Sequence, residues 1–200
     1  MPTGRQLAER TLRPLMEEVA WRPRAAGWFT KQVAPGFLGV ISVDVASKGY
    51  TKGSGTISLF VGLRDEALEP VVAKLCATED HAYQGRTVVR YIGYVMPERT
   101  FLKWYIDADV ADEVCAELVR HVVNHADPYL AGLTSDQNAL SAEMAATGFG
   151  WMKHCRIAVR TFQLHGRVAA DEYLARINFD LPIQWQMLER LSDWMSAQSA

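Results

Sequence analysis

Two histidines one helical turn apart, His121 and His125 in RHVVNHAD, are the first residues whose type and spacing suit chemistry. On one helix face both imidazoles can reach a single metal ion. The zinc-protease pattern also needs a glutamate directly after the first histidine as general base, and position 122 is valine. Two ligands make neither a closed nor a catalytic zinc site. The pair therefore reads first as histidines near a helix C-terminus, where the dipole favours a partly positive ring. A metal held by His121 and His125 is the alternative. Just upstream, YIDADVADEVCAE gathers Asp107, Asp109, Asp112, Glu113 and Glu117. Such acids suit a divalent cation, a basic protein partner, or the first turn of a helix. Asp109 is the expected N-cap.

The stretch GYTKGSGTIS, Gly49 to Ser58, sets a lysine among glycines and hydroxyls, as phosphate-binding loops do. A Walker-type loop places lysine after its last glycine and opens a helix whose free N–H groups meet the phosphates. Here Lys52 precedes Gly53 and Gly55, and a strand follows Thr56. The loop is expected to turn a hairpin. His154 and Cys155 are neighbours, and helical neighbours point about 100° apart, so they form no nucleophile pair. No catalytic triad order or dinucleotide fingerprint is present. No catalytic residue and no cofactor are assigned, and the balance leans away from an enzyme.

These residues need a scaffold, and the patterning supplies one. Of 200 residues 49% are hydrophobic and 22% charged, with a formal net charge of −2. A chain of this length buries roughly 70% of its unfolded surface and needs no disulfide or metal to fold. The charge balance offers no footprint for nucleic acid. No run reaches the roughly 18 apolar residues of a membrane span. The first twenty residues lack the apolar core of a signal peptide. Three distant cysteines, Cys76, Cys115 and Cys155, suit free buried thiols in a cytoplasmic protein.

Thr3 is positioned to cap a helix carrying Leu7, Thr11, Leu15 and Val19 at a spacing of four, widened by Leu12 and Met16, with Pro14 inside it. Strands are predicted over Trp28–Val33, Phe37–Ala46, Gly55–Leu63, Thr87–Val95 and Phe101–Ala108 from β-branched and aromatic content and period-two alternation. A helix is expected after Asp65. From Ala111 the pattern is helical: one segment ends before Asp127-Pro128, another starts at a capping Ser135 and stops at Gly148, and a third stops at Gly166. In the last helix Trp185, Leu188, Leu191 and Met195 share one face. Most of the six tryptophans are expected in the core, and Arg22, Arg24 and Lys31 on a solvated basic face. The expectation is an α+β fold: an N-terminal helix and antiparallel sheet of about five strands, then a C-terminal helical half. It forms one domain over 1–200, with a sheet half at 1–109 and a helical half at 110–200.

An N-terminal helix, then WRPRAAGWFTK, then GVISVDVASKGYTKGSGTISLFVGLRDEAL resembles the bacterial family called domain of unknown function 4304. Phe29, Val40, Ser47, Lys48, Phe60, Val61 and Gly62 carry the likeness, which covers about the first third of the chain. The resemblance implies a small cytoplasmic protein of the kind proposed as immunity or partner-binding factors in bacterial toxin systems. It brings no catalytic residue. The function expected is thus a non-enzymatic inhibitor that covers a toxin or another enzyme, with Asp107, Asp109, Asp112 and Glu113 as steering charges. The alternative is a small-molecule binder or metal-dependent enzyme beside His121 and His125.

Overall fold

The computed structural model describes residues 2–25, 27–147 and 151–198. The fold is α+β: an N-terminal helix, an antiparallel six-stranded sheet and a C-terminal helical half. The chain forms two compact units. One holds Met1–Leu63 with Val89–Ser135, the other Arg64–Val88 with Asp136–Ala200.

In the first unit, α1 (Gly4–Glu18) starts from a full capping box. Thr3 Oγ1 accepts from Gln6 N–H, and Gln6 Oε1 accepts from Thr3 N–H. The helix runs through Pro14 and buries Leu7, Ala8, Leu12 and Met16, while Thr11, Leu15 and Val19 are half-buried. Strands β1 (Arg22–Pro23), β2 (Trp28–Ala34), β3 (Phe37–Ala46) and β4 (Gly55–Asp65) lie side by side in chain order. The Gly49–Ser58 stretch turns the chain from β3 into β4, with positive φ at Gly49 (88°) and Gly53 (94°).

β5 (Val88–Tyr91) and β6 (Trp104–Ile106) both pair with β4, β6 in the register Gly55↔Ile106, Thr56↔Tyr105 and Ile57↔Trp104. The strand predicted to Val95 ends at Tyr91 and turns into the short helix α3 (Ile92–Val95). Gly93 explains the turn. A Cβ there would stand 2.1 Å from the Thr100 carbonyl oxygen, which returns after the Met96–Arg99 turn.

The helix α4 (Ala111–His121) does not stop before Asp127-Pro128. It passes through a π-helical turn, Val122–Ala126, into α5 (Asp127–Ser135). Proline lacks an N–H and crowds the carbonyl four residues back. One π turn, closed by Asp127 N–H to Val122 O, spaces the chain past it.

In the second unit, α2 (Leu68–Leu75) is followed by α6 (Gln137–Thr147), α7 (Met152–Leu174) and α8 (Pro182–Gln198). α7 packs against the other three. The cap of α6 is Asp136, whose Oδ1 accepts from Asn138 N–H at 2.8 Å; the Ser135 hydroxyl instead donates to Gly132 O within α5. The stop predicted at Gly148 lies outside the described residues. α7 breaks its helical path at Gly166, where φ is 81°. In α8 the buried face is Met187, Leu191 and Met195; Leu188 is half-buried, and Trp185, expected on the same face, is exposed because it lies two positions before Met187. Of the six tryptophans, Trp21 and Trp104 are buried and Trp28, Trp151 and Trp194 half-buried. Among the described residues no helix is long and apolar enough to cross a membrane.

Candidate partner-binding surface

β4 alternates across its two faces. Ile57, Leu59, Val61 and Leu63 are buried, and the opposite face presents Thr56, Ser58 and Phe60. The register puts Tyr105 directly across from Thr56, on that second face, while Trp104 and Ile106 turn to the buried side. Tyr105 meets Tyr50 from the β3–β4 turn at a centroid distance of 6.3 Å. Four strand residues along from Thr56, Phe60 stacks on Tyr91 at 4.1 Å, and Tyr91 meets Phe101 edge-on at 4.6 Å and Tyr94 at 6.4 Å. Lys103 Nζ stands 5.2 Å from the Phe101 ring centre. Tyr50, Tyr94, Phe101 and Tyr105 are each 42–47% exposed. Two groups of rings on or beside this face, Tyr50 with Tyr105 and Phe60 with Tyr91, Tyr94 and Phe101, thus leave four aromatic side chains partly open to solvent. Such rings anchor protein interfaces because they bury large apolar area at small entropic cost.

The predicted acids begin two residues beyond Tyr105. Asp107 Oδ1 accepts from Asp109 N–H (2.9 Å) and Val110 N–H (3.2 Å), so Asp107, and not Asp109, ties the turn into α4. Asp109, Asp112 and Glu113 are exposed, and none of the four makes an ion pair among the described residues. Their charge is left to act on whatever approaches.

Glu117 lies one turn further along α4 and is engaged. Its Oε1 accepts from Trp104 Nε1–H at 2.8 Å and lies 3.3 Å from His121 Nε2. These bonds, the Trp104 one first, hold its carboxyl below the usual range against the opposing effect of burial. A lowered folded pKa means that this carboxylate contributes stability above the unfolded carboxyl range, lost as pH falls through the folded value. We expect Trp104→Phe to raise the Glu117 pKa, read by carbon-detected NMR titration, and to narrow that acid-side window. An unchanged value would assign the shift to His121 instead.

His121 stacks between Trp104 and His125, each ring centre 5.7 Å away. Among the described residues no group of three or more His, Cys, Asp or Glu side chains is arranged to hold a metal ion.

The second unit carries a buried charge network that the residue pattern does not announce. Arg156 clasps Glu69 with Nε to Oε1 at 2.8 Å and Nη2 to Oε2 at 2.9 Å. Thr87 Oγ1 donates to the same Glu69 Oε1 and accepts from Asp65 N–H, both at 2.9 Å. Asp65 Oδ1 caps α2 at Ala67 and Leu68, and its Oδ2 receives Arg160 Nη1 at 3.2 Å. Arg64 Nη2 reaches Asp80 at 2.6 Å. A cavity of about 280 Å³ opens onto Glu69, Asp80, His81 and Arg156. Glu69, Asp65 and Asp80 each hold their own guanidinium, so the network secures the fold. Its only local signal is Arg64-Asp65, two charges ending an apolar strand. All three cysteines are free and buried. Burial holds the Cys115 thiol up at about 12, while Cys76 is lowered through a hydrogen bond with Cys155 and the charges of Arg156 and Arg190.

No protein-family model, no curated protein and no solved structure matches this chain.

Proposed function

We propose that this chain is a non-enzymatic protein-binding factor whose aromatic sheet face docks on a partner protein. The observation that carries the reading is the pair of partly exposed ring groups, Tyr50 with Tyr105 and Tyr94 with Phe101 about Phe60 and Tyr91. Beside it stand four acids with no ion pair among the described residues. Large exposed aromatic groups on a folded surface mark interaction sites. Unpaired carboxylates at the border favour a partner with a basic surface and act chiefly on the rate of encounter. A patch of about 800 Å² per partner blocks an active site by covering it. The immunity-type form of the proposal, with a bacterial toxin or other enzyme as partner in the cytoplasm, rests on the resemblance to the domain of unknown function 4304 family.

Wild type and a Tyr105→Ala/Phe101→Ala variant, used as parallel baits in host lysate, test it. The expected result is one stoichiometric protein held by wild type and lost by the variant, since each anchor contributes about 2 kcal/mol or more to such interfaces. With that partner purified, Asp109→Asn/Asp112→Asn/Glu113→Gln should slow association roughly tenfold at low salt and flatten its salt dependence. Asp107 is left intact in this variant because it holds the turn. A partner retained equally by the aromatic variant would place the interface elsewhere.

A further inference from the structure

On α1, Gln6, Glu9, Arg10 and Arg13 follow the spacing i, i+3, i+4, i+7 and therefore share one helix face. That face forms one wall of a cleft of about 480 Å³, whose other wall is Pro23, Arg24, Gly27 and Phe29. The volume falls in the range of small-molecule sites, about 300–1,000 Å³.

Three features make the cleft a built site. Arg10 and Arg13 have no ion-pair partner among the described residues, so two guanidiniums stand side by side with their charge unanswered. Arg24 is anchored by Nε–H donation to Oγ1 of the buried Thr30 at 2.9 Å, which leaves its two Nη groups to grip an acceptor. Glu9 lines the α1 wall and makes no ion pair among the described residues, so its carboxylate is left to accept from a ligand hydroxyl. Gly27, at φ 75°, lets the opposite wall lie close against β3: a Cβ there would sit 2.7 Å from Val43 O.

We infer that this cleft binds a phosphate monoester of a small polyhydroxylated molecule. Arg10, Arg13 and Arg24 take the phosphate and Glu9 accepts from a neighbouring hydroxyl. Three guanidiniums against one carboxylate leave two positive charges in excess, matching a phosphate monoester, which carries about −1.5 to −2 at pH 7. The planar guanidinium fork suits phosphate oxygens in pairs. The site shares no residue with the aromatic face, so either reading can fail alone.

Calorimetric titration of the full chain with glucose 6-phosphate, ribose 5-phosphate, the parent sugars and inorganic phosphate tests the inference. At least one sugar phosphate should bind tenfold or more tightly than its parent sugar and than inorganic phosphate. Arg10→Gln/Arg13→Gln, both exposed helix positions, should weaken it at least tenfold with an unchanged thermal melt. Glu9→Ala should lower the preference for the sugar phosphate over inorganic phosphate several-fold, because it removes the hydroxyl acceptor while the lost negative charge can only strengthen binding of inorganic phosphate. No binding of either sugar phosphate at millimolar concentration, or equal binding by the double-arginine variant, would overturn the inference. So would retention on heparin without binding of either monoester.

Discussion

Glu69→Ala is expected to destabilise the unit that contains it by about 3–5 kcal/mol, the cost of orphaning a buried charge. Arg156 is nearly buried and spends two of its donors on Glu69, and Thr87 donates to the same carboxylate. Removing the carboxylate strands a mostly buried guanidinium without its counter-charge and leaves a hydroxyl without its acceptor. In a chain of this size the loss corresponds to a fall in Tm of roughly 10 °C. The reason is the uncompensated charge rather than the missing contact, and a second variant separates the two. Glu69→Leu combined with Arg156→Met removes both charges, keeps volume, and should recover most of the lost stability. Chemical denaturation followed by circular dichroism measures both. If the double variant were as unstable as Glu69→Ala, the pair would matter through its geometry, as the tie between α2 and α7, and the charge argument would be wrong.

Trp21→Ala carries a comparable expected cost, about 3–5 kcal/mol, by a different mechanism. Trp21 is fully buried and follows α1, where the chain enters the sheet. A Cβ on Gly39 would come within 3.0 Å of its ring and 3.1 Å of Leu130 Cδ1, so glycine at 39 is what gives the indole room. Its Nε1–H donates to Asp127 Oδ1 at 3.2 Å, while Asp127 Oδ2 takes Lys31 Nζ at 2.8 Å. Alanine opens a large cavity and removes one of the two bonds on that carboxylate. Trp21→Phe keeps most of the packing and should cost only about 1 kcal/mol beyond its small volume loss, the worth of one hydrogen bond. A near-equal loss in both variants would show that the Asp127 bond, and not the ring, holds this corner.

The strand Phe37–Ala46 and the helix cap at Thr3 could be read directly from the residues. Their signals are local, because β-branched runs restrict φ and ψ and a hydroxyl caps the N–H three residues on. The acid-rich turn after β6 was legible in the same way, although the capping role falls to Asp107 rather than Asp109. Helix continuity across Asp127-Pro128 was not legible. The proline signal is local, but whether a helix stops or passes through a π turn depends on what holds the chain beyond it. Here that is Asp127, bound to Trp21 and Lys31 about a hundred residues away in sequence. Strand β5 likewise ends where Thr100 presses on Gly93, a contact that alternation along one strand does not encode.

The functional surfaces divide along the same line. Single residues such as Asp109, His121 or Arg24 stand out by type, and a helix face such as Gln6, Glu9, Arg10 and Arg13 follows from spacing alone. Tyr50, Phe60, Tyr91, Phe101 and Tyr105 become one surface only because β5 and β6 both pair with β4, in a register that sends Tyr105 outward and Trp104 inward. Arg24 joins Arg10 and Arg13 only because β1 and β2 place it opposite α1. The sequence by itself thus determined where most of the helices and strands lie and the chemical kinds of residue available, since propensity and capping act over a few residues. Tertiary structure alone decided which of them meet, because strand register and the pairing of buried charges are settled by interactions between segments far apart in the chain.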